Sequence, residues 1–193
     1  MLDQTALSAV VRSYKAMTVR RRELQQLSSD ILSASKRAIF AVQRGMKGDA
    51  DRELKEARSL VMRGKKVVGT DRRLLSEGAW RAALEEFAES AMYRDAMFAS
   101  MIKVPKEIAD DPDVVIGALS DVTGECTRSC VLAATRRDRV EVERLSEIVR
   151  GGVAFLLELD LTGSLRQKFD QAKQNLRKVE EIAFSLSLSR AIE

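Results

Sequence analysis

The sequence predicts an all-α fold in a single domain that spans residues 1–193. Only two prolines occur, Pro105 and Pro112, so long stretches of the chain contain no strong helix breaker. Apolar residues recur at steps of three and four, and no segment alternates with period two for long enough to predict a strand. Hydrophobic residues make up 45% of the chain and charged residues 32%, which is typical of a globular protein with a packed core.

The first predicted helix is long and runs from Leu2 to Arg44. Asp3 is expected to cap its start, and Gly45 and Gly48 are expected to end it. At 1.5 Å per residue such a helix would be roughly 60 Å long. A chain of 193 residues cannot cover that length with its own core. We therefore expect this helix to reach a neighbouring subunit.

Five further helices are predicted from the apolar periodicity and the turn residues. They run from Asp49 or Asp51 to about Arg63, from Arg72 to Ile102, from Asp113 to Thr135, from Arg139 to Leu159 and from Ser164 to Leu188. We expect a basic turn at residues 64–69, a helix cap at residues 70–71 and Pro112 in the first turn of its helix. The glycine pair at residues 151–152 predicts a weak point in the helix that contains it.

The composition excludes several classes of chemistry. The chain has no histidine, which excludes Ser-His-Asp and Cys-His catalysis and histidine-ligated zinc. Any reaction must therefore use carboxylates, lysines, hydroxyls, thiols or a metal held by oxygen. Cys126 and Cys130 lie four residues apart on a predicted helix, which is poor geometry for a disulfide. We interpret them as reduced, buried thiols, and a redox or metal role is the less favoured alternative.

Charge and hydropathy bear on location and partners. The net charge of +4 permits an anionic partner without requiring one. The sequence shows no pattern of a signal peptide and no apolar run of about 18 residues. We therefore expect a cytoplasmic protein that does not associate with a membrane.

Two pairs of carboxylates have helical spacing. Glu86 and Glu89 are separated by three residues, and Asp121 and Glu125 by four, so each pair shares one helix face. Each pair lies among small and apolar residues, where burying an ionised group is costly. Four carboxylates of this kind could meet around a hard divalent cation if the two helices pack together.

Other interpretations of these carboxylates remain open. The residues alone favour a solvated helix face for Glu86 and Glu89. Against this interpretation, their helical neighbours are not basic, and Glu85 could be the member of the trio that points to solvent. Glu125 could form an ion pair with Arg128, one turn later on the same helix.

Basic residues occur in small clusters, each of which alone is most often a solvated surface. If several clusters faced one cavity, they would bind a phosphate backbone with little sequence preference. The candidate nucleic-acid-binding residues from these clusters are Arg20, Arg21, Lys36, Arg37, Lys65, Lys66, Arg72 and Arg73.

Three stretches of the chain resemble the translin family. Residues 35–40, Ser-Lys-Arg-Ala-Ile-Phe, are similar to the motif near the end of the family's first helix. Residues 116–125, Ile-Gly-Ala-Leu-Ser-Asp-Val-Thr-Gly-Glu, resemble its central motif. Residues 165–170 and 176–181 resemble its C-terminal helix. The order and spacing of these stretches agree with those of the family.

The resemblance implies a seven-helix bundle that assembles into a closed, barrel-like octamer with nucleic acid inside. It also implies that the chain is similar to the catalytic branch, translin-associated factor X, in a prokaryotic, homo-oligomeric form. That branch carries a Mg²⁺-dependent endoribonuclease site, whose positions correspond here to Glu86, Glu89 and Asp121. Glu125 matches a further acidic position, and we expect it to be either a fourth ligand or a group that supports the ligands. Arg81 matches a basic stretch that contacts nucleic acid, although the histidines of that stretch are absent here.

The sequence therefore predicts an endoribonuclease that encloses RNA, single-stranded or as a short duplex, in a homo-octamer. The expected cofactor is Mg²⁺, with Mn²⁺ as an alternative. A second hypothesis is a cage that binds single-stranded RNA or DNA without turnover. A third is a purely structural helical scaffold.

Overall fold

The computed structural model of the protein describes residues 2–189, and this range contains seven α-helices and no strand. The helices are α1 (Gln4–Gln43), α2 (Lys47–Val68), α3 (Arg72–Leu75), α4 (Gly78–Phe98), α5 (Pro112–Thr135), α6 (Arg139–Leu157) and α7 (Gly163–Ser189). The predicted all-α class is thus confirmed. Within the described range, no helix has the length and apolar character needed to span a bilayer.

Helix α1 forms almost as predicted. The carboxylate of Asp3 accepts hydrogen bonds from the backbone N–H groups of Thr5 and Ala6, which satisfies two groups that would otherwise lack partners. Gly45 follows the helix with a φ of 73°, a conformation that favours glycine. Gly48 does not help to end α1, contrary to the prediction, because it lies in the first turn of α2.

The second half of α1 supplies its fully buried residues. These begin at Leu24, and of the preceding twenty residues Met17 alone is an apolar residue that packs, partly buried, against the core. Several large apolar side chains of the first half are exposed, namely Leu7, Val10, Val11, Tyr14 and Val19. Such a row is unusual on a surface that has no partner.

Helix α2 is longer at both ends than predicted, and the basic turn expected at residues 64–69 was wrong. The helix continues through Gly64 and ends at Gly69, whose φ is 52°. Gly64 is needed for packing rather than for a turn. A Cβ atom at this position would lie 2.3 Å from a ring carbon of the buried Trp80. The glycine therefore lets α4 approach α2 closely.

The single helix predicted from Arg72 to Ile102 is divided in two. Asp71 caps the short α3, as expected, by accepting from the backbone N–H of Arg73. The chain then extends at Glu77, which forms an ion pair with Arg21 of α1 at 2.9 Å, and α4 begins at Gly78. Helix α4 ends at Phe98, four residues before the predicted end.

The second half of the chain follows the prediction more closely. Pro112 occupies the first turn of α5, and the Asp111 carboxylate accepts from the backbone N–H of Val114. Helix α6 continues through residues 151–152, so the expected weak point is intact helix. Gly152 instead gives room to α5, because a Cβ atom there would lie 3.3 Å from the methyl carbon of Thr123.

The packing order places α4, α5 and α7 side by side. Helix α1 packs against α2 and α4, α4 against α5, and α5 against both α6 and α7. One cluster of buried apolar residues draws on all the helices of the described range. Cys126 and Cys130 are free and buried within it, as predicted, and burial raises the pKa of the Cys126 thiol to about 12.

Candidate functional site

A cavity of about 520 Å³ lies where α4, α5 and α7 meet. Three of the four predicted carboxylates line it, and polar side chains of α7 form the opposite wall. The lining residues are Glu89, Ser120, Asp121, Gly124, Glu125, Ser164, Gln167, Lys168, Gln171 and Asn175. The two acidic pairs, which are more than thirty positions apart in the sequence, therefore belong to one site.

The α4 pair, Glu86 and Glu89, is partly buried rather than fully solvated. Burial raises the pKa of Glu86; the positive charge of Lys36 lowers it, and the charges of Asp121 and Glu125 raise it further. Burial is also the main reason why the pKa of Glu89 rises to about 8, and Asp121, Glu86 and Glu125 add to it. The two glutamates of α4 thus lie within range of the charges of the α5 pair.

The α5 pair, Asp121 and Glu125, faces the cavity one turn apart. Gly124 lies between them, and a Cβ atom there would come within 3.5 Å of Asn175 Nδ2. The Glu125 carboxylate accepts a hydrogen bond from Gln43 Nε2, at the end of α1, at 2.7 Å. The alternative ion pair with Arg128 does not form: Glu125 bonds to Gln43, and Arg128 is exposed.

Lys168 on α7 is a member of the site that the sequence did not predict. Its Nζ donates to Glu85 Oε1 at 2.7 Å and, through a shorter contact, to Asp121 Oδ2. Burial lowers the pKa of Lys168, but the hydrogen bonds to Asp121 and Glu85 outweigh this, and the net pKa is raised. One signal could have pointed to Lys168: it lies one turn from both Leu165 and Ala172, on the apolar side of its helix.

Glu85 was expected to point to solvent, and this was wrong. Its side chain turns inward to Lys168 because Gly117 of α5 leaves room for it. A Cβ atom at Gly117 would lie 2.0 Å from Glu85 Oε2. Gly117 precedes Asp121 by one turn, so both residues lie on the same face of α5. This face leaves room for Glu85 and carries Asp121, the two partners of Lys168.

The amide side chains of α7 fix this helix against α5. Asn175 Nδ2 donates to Thr123 Oγ1 at 2.9 Å, and the backbone carbonyl of Asn175 accepts from Thr127 Oγ1 at 3.5 Å. One turn earlier, the side chain of Gln171 is exposed at the cavity. Sequence reasoning missed these residues because isolated amides in an amphipathic helix resemble ordinary surface positions.

The donor set fits a hard divalent cation in its chemistry, because its ligands are carboxylate oxygens with an excess of negative charge. The arrangement of these side chains, however, is not that of a metal-binding site. Across residues 2–189, no three acidic or cysteine side chains are arranged as a ready metal-binding group. The ammonium of Lys168 occupies the position beside Asp121 instead.

Most of the predicted nucleic-acid-binding residues have acidic partners within the chain. These pairs are Arg20 with Asp71, Arg21 with Glu77, Arg37 with Glu53, Lys65 with Asp110, Arg73 with Asp71 and Arg81 with Asp111. Arg20 also donates to the carbonyls of Val67 and Val68 at the end of α2. Lys36, Lys66 and Arg72 are exposed.

The basic residues do not line one cavity of the single chain. Lys65 and Arg81 border a pocket between α2 and α4, whereas Arg37 borders another between α1 and α2. Lys36 is the member whose charge acts on the acidic site, through Glu86. Their role in binding nucleic acid remains a prediction.

Comparison with known proteins gives a family match and a fold match. Residues 111–190 match the model described as the translin family. No significant match was found among curated proteins.

Three solved structures share the fold of this chain. The crystal structure of AfC3PO has a TM-score of 0.87 and 19% identity, and the match covers 96% of this chain and 99% of that chain. For apo-NeC3PO the values are 0.85 and 19%, with 96% and 98% covered. For AfC3PO in complex with duplex RNA they are 0.80 and 18%, with 97% and 100% covered. Identity this low establishes the fold alone. The predicted resemblance to the translin family is thus confirmed, with residues 111–190 carrying the family match and nearly the whole chain carrying the fold.

Proposed function

We propose that the protein is a metal-dependent endoribonuclease that encloses RNA within a homo-oligomeric barrel. One observation carries the proposal: α4 and α5 bring Glu89, Asp121 and Glu125 to a single cavity that is open to solvent, and Glu86 lies one turn before Glu89 on the same side of α4. Clustered, partly buried carboxylates are typical of functional sites, because burying them without a task is costly.

In this proposal Glu86, Glu89 and Asp121 hold Mg²⁺ or Mn²⁺, and Glu125 assists. The bound metal would supply Lewis-acid chemistry and an activated water for hydrolysis of the phosphodiester. One of the carboxylates takes the proton of the attacking water. Gln43 fixes the orientation of Glu125 through its hydrogen bond of 2.7 Å.

RNA is the proposed substrate because AfC3PO, which shares this fold, has been solved with duplex RNA. Exposed cations such as Lys36, Lys66 and Arg72 would hold the phosphate backbone. The exposed apolar row of α1 supports an assembly, since association would cover it. We propose a homo-octamer, as the family resemblance implies.

The test is cleavage of labelled RNA by protein freed of contaminating nuclease, with Mg²⁺ or with EDTA. We expect products only with Mg²⁺. Asp121→Asn should abolish cleavage and leave RNA binding and solution mass unchanged, because it removes a ligand charge without changing side-chain size. Asp170→Asn is the matched control on the α7 surface, where Asp170 pairs with Lys173 at 2.7 Å, and it should cleave normally. Full cleavage by Asp121→Asn would exclude this site.

A non-catalytic RNA- or DNA-binding cage is the second candidate. It is favoured by the contact between Lys168 and Asp121, which neutralises Asp121 without a metal. RNA binding that is equal in Mg²⁺ and EDTA, with no metal-dependent products, would support the cage over the nuclease.

A further inference from the structure

We infer that Lys168 is the built-in counter-cation of the acidic cavity, and that a divalent metal must displace its ammonium to bind there. The inference rests on the proposed function, because displacement requires a metal site. It gives a residue of α7 a role towards proposed ligands that all lie on α4 and α5, and it predicts how that residue limits the affinity of the cavity for metal.

The contacts of Lys168 place it where an incoming cation would have to bind. Its Nζ bridges Glu85 of α4 and Asp121 of α5, at 2.7 Å from the Glu85 oxygen. The three side chains are only 28%, 26% and 34% exposed, so water screens the bridge incompletely. Lys168 is therefore a partner of the predicted metal ligand Asp121 rather than a solvated surface lysine.

The neighbouring sequence is fitted to this bridge. Glu85 reaches Lys168 only because Gly117 has no side chain, since a Cβ atom there would overlap the Glu85 carboxylate at 2.0 Å. Behind Lys168, Phe169 is buried and anchors the same turn of α7. The bridge thus depends on matched features of three helices.

Charge makes the ammonium and a divalent metal competitors. Two cations that share the Asp121 carboxylate at contact distance repel strongly in a partly buried site. The other nearby cation, Lys36, is exposed and acts on Glu86. The lysine stem has four flexible carbons, so Nζ can withdraw to solvent while the stem stays packed. Metal binding must therefore include the cost of breaking the bridge.

The first test measures Mn²⁺ affinity by the electron paramagnetic resonance signal of free Mn²⁺. Lys168→Met keeps an unbranched stem of four heavy atoms and removes the ammonium, and we expect it to bind Mn²⁺ roughly tenfold more tightly or better. Lys168→Arg keeps the charge and should bind as weakly as the wild type. Lys173→Met is the control: it removes a lysine of the same helix that pairs with Asp170 on the surface, and it should leave the affinity unchanged. Equal or weaker binding by Lys168→Met would overturn the inference.

The second test uses the wild-type chain, in case Lys168→Met does not fold. Acetylation of each lysine by a short pulse of reagent is followed by mass spectrometry, with and without saturating Mn²⁺. Displacement predicts that Lys168 is acetylated several-fold faster when Mn²⁺ is bound, because its ion pairs are broken. Lys173 serves as the internal reference and should not change. A Lys168 rate that is unchanged or lower with Mn²⁺ would contradict displacement.

The outcomes separate this inference from the proposed nuclease. Suppose that the wild type cleaves RNA with metal but the acetylation rate of Lys168 does not change with Mn²⁺. That result would overturn the displacement alone. Absence of Mn²⁺ binding by both the wild type and Lys168→Met would overturn it together with the metal-dependent nuclease.

Discussion

Glu89 shows how strongly neighbours can change the chemistry of a single side chain. Its carboxyl group would ordinarily lose its proton near pH 4.5, but burial and the charges of Asp121, Glu86 and Glu125 raise its pKa to about 8. The folded chain therefore favours the protonated acid, whereas the unfolded chain ionises at the ordinary value. This stabilisation is fully present below about pH 4.5 and is lost as pH rises towards 8.

The residue-scale prediction follows from the direction of this pKa shift. In EDTA, Glu89→Gln should be similar in stability to the wild type at pH 5 and more stable at pH 8.5, by roughly 1–3 kcal/mol. Urea denaturation between these pH values measures the difference in free energy of unfolding. Glu180→Gln on the exposed face of α7 is the control and should show no such trend. A difference that does not vary with pH would show that the pKa of Glu89 is not raised in the folded chain.

Spacing along the sequence singled out the four carboxylates as candidates, because i,i+3 and i,i+4 relations are local properties of a helix, and their role as ligands stays a prediction. It did not identify Lys168 or the inward direction of Glu85. Both depend on Gly117, which lies more than thirty positions from Glu85 and about fifty from Lys168 in the sequence. A pattern read along one helix cannot show which side chain of another helix will face it.

At the scale of elements, helices with local stop and start signals were predicted well. Helices α1 and α5 have an aspartate cap at the start, and α5 also has a proline in its first turn. The errors arose where tertiary contacts override local signals. Gly64 predicted a turn, but it lies inside α2 and leaves room for the ring of Trp80. The break before α4 was not predicted, and it contains Glu77, which forms an ion pair with Arg21 of α1.

The element-scale prediction concerns the contact between α2 and α4. Gly64→Ala should destabilise the chain by about 1–3 kcal/mol, despite the higher helix propensity of alanine, because the new methyl group overlaps the buried ring of Trp80. Gly48→Ala is the matched control in the same helix, where a Cβ atom meets nothing within 4 Å, and it should be neutral or stabilising. Thermal denaturation of both variants measures the effect. A neutral Gly64→Ala would mean that α4 can move away from α2 at little cost.

At the scale of the whole molecule, the first half of α1 is the part that the chain does not cover. Four of its exposed apolar residues, Leu7, Val10, Val11 and Tyr14, recur at helical spacing and form one stripe, whereas Val19 lies on another side. The core of the described chain is complete without this segment, since its buried residues begin at Leu24. The stripe is therefore the surface where self-association is expected.

The molecular-scale prediction is a change in solution mass. The wild type should have the mass of an oligomer, and the double substitution Val10→Glu with Tyr14→Glu should shift it towards the protomer, because it places charges on the apolar stripe. Light scattering after size exclusion measures the mass, and circular dichroism should show unchanged helix. Ala9→Glu, on the opposite face of α1, is the control. A wild type of protomer mass would contradict an enclosed RNA site.

The hydrogen bond between Gln43 and Glu125 has a mechanical consequence. Gln43 is the last residue of α1, and the exposed stripe lies towards the first, about 43 Å away at 1.5 Å per residue from Tyr14. An unbroken helix of 40 residues acts as a stiff rod between these two points. A neighbouring subunit that binds the first half of α1 would therefore also fix the position of the Gln43 amide, which orients Glu125. Assembly and the geometry of the acidic cavity would be coupled through this one helix.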